Sequence, residues 1–200
     1  MSSGPPAGLP EGARRSHALE SLAAFLQSPP GLQVLDFGAI NQSNLDYITG
    51  FGHRLYAADI LRAYDLMAQT AAGEAPPAPD LERFLDESFV FPDQTVDCAL
   101  LWDTIQFLPP EAAAAAGRRL HRVLAPDAFV LACFHPGAAA RQPPCSFRIL
   151  DGRHLQLRPR AAPRFIAPFT TRAIEKYFQQ FRTVKFFMTR ESLQEVVIRR

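Results

Sequence analysis

Between His17 and Leu26 the apolar side chains Leu19, Leu22, Ala23 and Leu26 recur at the spacing of one helical face, and Pro29-Pro30-Gly31 ends the run. A different pattern follows. Leu32 to Phe37 is a short continuous apolar stretch of strand length, and Ser43 with Asp46 three residues on predicts a helix over Leu45 to Thr49. After Gly50 and Gly52, Arg54 to Ala58 reads as a second strand ending at Asp59. A helix from about Leu61 to Ala72 completes a βαβ unit.

Gly73 to Pro79 is a Pro-rich linker, and Leu81 to Phe89 reads equally as a helix or a short third strand. Thr95 to Trp102 is a continuous apolar strand, the pattern of a strand buried on both faces of a parallel sheet. Pro109-Pro110-Glu111 opens a helix through Leu124, with Ala113, Ala116, Leu120 and Leu124 on its inner face. Ala125-Pro126-Asp127 then turns the chain into Ala128 to Phe134, a strand stopped by His135-Pro136-Gly137. In the last third, Phe147 to Leu150 and Arg153 to Leu157 flank Asp151-Gly152, the signal of a hairpin with a two-residue turn. Thr170-Thr171 caps a helix to Phe178. The last two strands, Val184 to Met188 and Leu193 to Ile198, are joined too closely to be anything but antiparallel neighbours.

Two hundred residues with 48% hydrophobic content are enough for one continuous core, so residues 16–200 read as a single domain. Residues 1–15, rich in Pro, Gly and Ser, read as a disordered lead. That lead has no apolar core of a signal peptide, and the apolar runs elsewhere are strand-length, so the expectation is a cytoplasmic protein with no membrane partner. Cys98, Cys133 and Cys145 are odd in number and form no Cys-x-x-Cys pair; they read as reduced thiols, and no metal site is expected. A net charge of +1 excludes a global electrostatic argument for nucleic acid. Locally, Arg141, Arg148, Arg153, Arg158, Arg160 and Arg164 oppose only Asp151, which reads first as a solvated hairpin and second as a surface for an anionic substrate, nucleic acid or an acidic partner.

Three stretches carry a resemblance. Val34-Leu35-Asp36-Phe37-Gly38 is a strand with an acidic-x-Gly ending, and Asp59 ends the next strand. Phe91 to Leu100 leads into Asp103-Thr104-Ile105-Gln106-Phe107-Leu108-Pro109, and the helix after it closes on Arg122-Val123-Leu124-Ala125-Pro126. Phe169-Thr170-Thr171-Arg172-Ala173-Ile174 precedes the closing strand pair. Together these resemble class I S-adenosylmethionine-dependent methyltransferases of the small, type 11-like group. The resemblance implies an α/β, Rossmann-like doubly wound, mostly parallel seven-stranded sheet with an antiparallel C-terminal pair. It also implies a hairpin insertion over residues 137–168 that covers the substrate. The cofactor implied is S-adenosylmethionine, with Asp36, Gly38, Asn44, Asp59, Asp86 and Asp103 as its contacts. Asp103 and His135 would be the groups that orient an acceptor for in-line methyl transfer.

The physics of that crevice stands without the name. Ligands of open α/β sheets sit beyond the carboxyl ends of the strands where strand order reverses, which groups Gly38, Asp59 and Asp103. A glycine there allows close backbone approach, and an Asp can accept both hydroxyls of a ribose. The chain departs from the family where two further glycines are expected, at Ile40 and Gln42. Ala39 is small, and Asn41, Gln42, Ser43 and Asn44 supply side-chain donors that could hold a carboxylate instead. The family's acidic residue near adenine falls at Leu85, beside Asp86. The bland readings are a loop anchor for Asp36, a helix cap for Asp59, a turn for Asp103, a loop residue rather than a general base for His135, and core rather than stacking on adenine or substrate for Tyr47, Tyr64 and Trp102. The sequence therefore supports a methyltransferase of unidentified small-molecule or protein acceptor, with a catalytically inactive binding or scaffolding module as the alternative. A nicotinamide oxidoreductase is disfavoured because Gly-x-Gly-x-x-Gly is absent after the first strand.

Overall fold

The computed structural model describes residues 8–70, 80–135, 141–166, 169–188 and 193–200. In chain order the strands that build the main sheet are β2 (Gln33–Asp36), β3 (Arg54–Ala57), β4 (Val96–Trp102), β5 (Leu124–Phe134), β10 (Thr183–Met188) and β11 (Gln194–Arg199). Their spatial order is β10-β11-β5-β4-β2-β3. The four strands from β5 to β3 are mutually parallel, while β11 runs antiparallel to both β5 and β10. The order reverses between β2 and β4, which makes the crevice at their carboxyl ends the ligand position of this architecture.

Period-two alternation in these strands feeds two cores. Leu35, Phe37, Ala99, Leu101, Val130, Ala132, Val196 and Ile198 face one side. They meet α3 (Ile60–Thr70), α4 (Leu81–Ser88), α5 (Pro110–Val123) and α6 (Thr171–Tyr177). Val34, Cys98, Leu100, Trp102, Phe129, Leu131, Cys133 and Val197 face the other, against α1 (His17–Phe25) and α2 (Gln42–Gly50). A strand whose successive side chains point to opposite faces is apolar throughout when both faces are covered, which is the pattern of β4 and β5. The alanine run of α5 buries Ala112, Ala113, Ala115 and Ala116, and Pro110 sits at its first turn, where a missing N–H costs nothing.

A second, three-stranded sheet lies on the α1–α2 side, in the order β1 (Ala13–Arg15), β8 (His154–Pro159), β7 (Cys145–Ile149). Its Phe147, Ile149 and Leu155 belong to the core they share with α1 and α2. Below it, β6 (Arg141–Gln142) pairs with β9 (Arg164–Phe165), so the insertion after β5 is one long ribbon.

Four local expectations change. The main sheet has six strands among the described residues rather than seven, because 81–88 form α4; Asp80 caps it by accepting from Arg83 N at 3.0 Å. Ala13–Arg15, read as part of a disordered lead, add a strand to β8. The hairpin turn is three residues rather than two: Leu150 N donates to His154 O at 2.9 Å, and Asp151 Oδ1 accepts from the N–H groups of both Arg153 and His154. Finally, α2 begins at Gln42 under an Asn41 cap, not at Ser43. The Gly73 to Pro79 linker and the Pro136-Gly137 stop lie outside the described residues.

Candidate functional site

Asp36, at the end of β2, is 3% exposed, and its carboxylate is fully engaged. Oδ1 accepts from Gly38 N at 2.8 Å and from Trp102 Nε1 at 2.7 Å, and Oδ2 accepts from Asn44 Nδ2 at 3.1 Å. Burial pushes its pKa up, and the bonds from Gly38, Asn44 and Trp102 pull it back. The loop-anchor role is therefore the one the structure displays for Asp36.

Trp102 closes the end of β4 with φ of +49°, a left-handed conformation that bulky residues rarely adopt. Its indole lies on Gly38: a Cβ built there would stand 2.7 Å from Trp102 Cδ1 and 3.1 Å from Nε1. On the insertion side, Phe147 of β7 stacks on the indole, with ring centroids 5.0 Å apart and planes 12° apart. Trp102 is core, as its apolar setting implied, but it is core placed in the crevice.

The amide-rich turn after Gly38 is bound to the same strand. Asn44, buried, donates from Nδ2 to Phe147 O at 3.0 Å and accepts at Oδ1 from Ile149 N at 2.9 Å. Asn41 caps α2 through Asn44 N at 2.9 Å and donates from Nδ2 to Phe147 O at 3.1 Å. The Ser43 hydroxyl donates to Ile149 O. These side chains, read in the sequence as holders of a ligand carboxylate, instead satisfy the backbone of β7, which would otherwise be an open sheet edge.

Asp59, two residues beyond β3, caps α3 by accepting from Arg62 N at 3.1 Å. Its two oxygens also take the guanidinium of Arg160 in a bidentate pair, with Nη2 to Oδ1 at 3.0 Å. Four residues on, Arg164 grips both oxygens of Asp65 on α3 in the same way. The basic insertion is thus partly neutralised by the face of the domain it covers.

Asp103 follows Trp102 and is 1% exposed. Its Oδ2 accepts from Cys145 N at 3.1 Å and lies 3.2 Å from His135 Nε2. Its Oδ1 has no partner among the described residues, and burial pushes the carboxyl's pKa up, against the bonds from His135 and Cys145. His135 N donates to Gln106 Oε1 at 3.3 Å, and its ring meets Phe107 edge-on. So the structure brings Asp103 and His135 together, as one polar contact at the ends of β4 and β5. Asp86 is elsewhere: it is largely exposed on α4 and paired with Arg119 of α5. Leu85, where the family's acidic residue was expected, packs against the core.

Sequence reasoning did not single out Phe147 or Arg160, and for Trp102 it preferred core to stacking on a ligand. A tryptophan at the last position of a central strand was the one local signal. Arg160 had none, being one arginine among six in the insertion. Among the described residues no cluster of His, Cys, Asp or Glu could hold a metal ion, and no helix is long and apolar enough to cross a membrane.

The family model described as "Methyltransferase domain" matches residues 35–132. No curated protein matches the chain in sequence. Among solved structures, it resembles a type 11 methyltransferase from Sulfolobus solfataricus described as putative, with TM-score 0.52 and 17% identity over 94% of each chain. It also resembles an S-adenosylmethionine-dependent methyltransferase from Aquifex aeolicus, with TM-score 0.51 and 15% identity over 90% of this chain and 88% of the other. A third is 1,6-didemethyltoxoflavin-N1-methyltransferase from Burkholderia thailandensis, solved with S-adenosylhomocysteine bound, with TM-score 0.50 and 17% identity over 92% of this chain and 78% of that one. At these identities the structural likeness speaks for the fold. The reversal of strand order between β2 and β4 and the antiparallel closing pair agree with the sequence match, which makes residues 35–132 a methyltransferase domain of the class I, type 11-like kind, whose cofactor is S-adenosylmethionine.

Proposed function

We propose that this chain works as a binding or scaffolding module whose cofactor crevice is closed by its own insertion. The observation that carries this reading is the Trp102 indole on Gly38, sealed on the insertion side by Phe147. A cofactor in this crevice requires the backbone at Gly38 to be uncovered and the carboxylate of Asp59 to be free for ribose hydroxyls. Here the first is under an aromatic pair and the second holds Arg160. The residues as they stand do not fit S-adenosylmethionine.

Magnitude decides between a plug and a lid at the Gly38 end. Uncovering it requires β7 and β8 to leave, and Phe147, Ile149 and Leu155 are 2%, 1% and 1% exposed. Re-exposing such side chains costs about 1.5–3 kcal/mol each, so the motion costs about 5–9 kcal/mol. Whole domains are stable by only about 5–15 kcal/mol. The hairpin is therefore part of the core rather than a door.

A second reading, methyl transfer to a small-molecule or protein acceptor, is favoured by one observation: Asp59 keeps its place beyond β3, covered by the guanidinium of Arg160 rather than by apolar core. Calorimetric titration with S-adenosylmethionine and S-adenosylhomocysteine separates the two. The module reading expects no saturable heat for either ligand with the wild-type chain, its circular dichroism remaining native. Saturable binding of either ligand overturns it, and weakening of that binding in Asp59→Ala selects methyl transfer through this crevice.

A further inference from the structure

We propose that the lower half of the insertion, residues 160–165, is an ionic strap over the end of β3, able to open while the hairpin above it stays packed. The proposal rests on the closed-crevice reading for its consequence, the release of Asp59, but not for its own evidence.

The two halves of the ribbon are held by different forces. In the upper half, Phe147, Ile149 and Leu155 are core, and three side chains of the turn before α2 and its first residues bind the β7 backbone. In the lower half, Ala161, Ala162 and Pro163 are exposed, Phe165 is 65% exposed, and only the side chains of Arg160 and Arg164 are largely covered, at 17% and 35% exposure. What fastens it are the pairs Arg160 with Asp59 and Arg164 with Asp65, the bond from Arg160 N to Pro144 O at 2.9 Å, and the short β6–β9 ladder. The apolar residues that bound it, Pro144 and Ile166, are buried and can remain so, serving as fixed ends. Hydrophobic packing is not weakened by charge screening, whereas pairs between part-exposed charges weaken as the Debye length shrinks. The strap and the hairpin must therefore respond differently to ionic strength.

Opening frees the Asp59 carboxylate while its cap on Arg62 N keeps α3 started. The Gly38 end stays filled by Trp102 throughout. The fold thus carries one permanent closure and one reversible one on the same crevice.

Hydrogen exchange on the full chain, without added ligand, tests the strap. Between about 0.05 M and about 1 M salt, where the Debye length falls to about 3 Å, exchange of the 160–165 amides should rise roughly tenfold, the scale of two part-exposed ion pairs. Amides of β7 and β8 should hold their protection. The double variant Asp59→Asn with Asp65→Asn should show the fast strap already at low salt and lose the salt response. Trypsin should then cut after Arg160 and Arg164 before any site in β7 or β8. Strap and hairpin amides exchanging together, or strap exchange insensitive to both salt and the double variant, would overturn the proposal. Neither readout involves cofactor, so its failure is distinct from failure of the closed-crevice reading.

Discussion

Trp102 Nε1 donates to Asp36 Oδ1 at 2.7 Å, tying the end of β4 to the end of β2 across the point where the sheet reverses its order. The bond connects the only tryptophan of the chain to a buried carboxylate that accepts three hydrogen bonds, and it holds the indole over Gly38. Trp102→Phe keeps an aromatic ring for Phe147 to stack on but removes the donor. Since a buried carboxylate deprived of a partner loses more than a neutral hydrogen bond's worth, the variant should be less stable by about 1–3 kcal/mol. Urea unfolding followed by circular dichroism, with an unchanged slope, would measure it.

Gly38→Ala tests the packing of the same indole. The added methyl meets Trp102 Cδ1 at 2.7 Å, and the indole is buried and cannot swing aside. Overpacking of this kind should cost about 1–3 kcal/mol and lower the melting temperature. Because the clash is with one side chain, the combined variant with Trp102→Ala should be more stable than the two single losses added together. A double-mutant cycle reads that coupling directly.

Acid and neutral stability should differ in a way set by Asp36 and Asp103. Burial raises both carboxyls in the folded chain above their unfolded values. The folded state therefore binds more protons, so their contribution is fully present below the unfolded carboxylate range and is lost as pH rises through the folded values. Asp103→Asn should flatten that decline, and denaturant titrations from about pH 4 to pH 7 would show it as a smaller loss of midpoint across the range.

The three cysteines should be silent in the native chain. Cys98 and Cys133 are buried and free, and burial pushes both thiols up. Cys145 is partly exposed, but burial pushes its thiol up to about 12 as well. With the thiolate as the nucleophile, a disulfide reagent at neutral pH should titrate close to none of the three before denaturant is added and all of them afterwards.

Strands and helices were legible because their signals are local. The continuous apolar runs of β4 and β5, the helical period of α1 and the threonine cap of α6 each depend on neighbours a few residues apart, and each appears in the structure near its expected place. The short apolar segment from Leu81 is compatible with strand or helix, and only the packing of Phe84 into the core settles it. Ala13–Arg15 form a strand because β8 offers them an edge, a partner about 140 residues away that no window on the sequence contains.

By itself the sequence determined the methyltransferase domain over residues 35–132, its mostly parallel α/β winding and the expected place of the crevice, since these follow from hydrophobic period and from motifs close together in the chain. Tertiary structure alone decided what fills that crevice. Arg160 lies 101 residues from Asp59, Trp102 66 from Asp36, and Phe147 over 100 from the Asn41 and Asn44 amides that hold it. Each residue is unremarkable where it stands in the chain. Contacts between residues so far apart exist only once the sheet has formed and the insertion has buried Phe147, Ile149 and Leu155, because only then is the entropy of bringing them together offset.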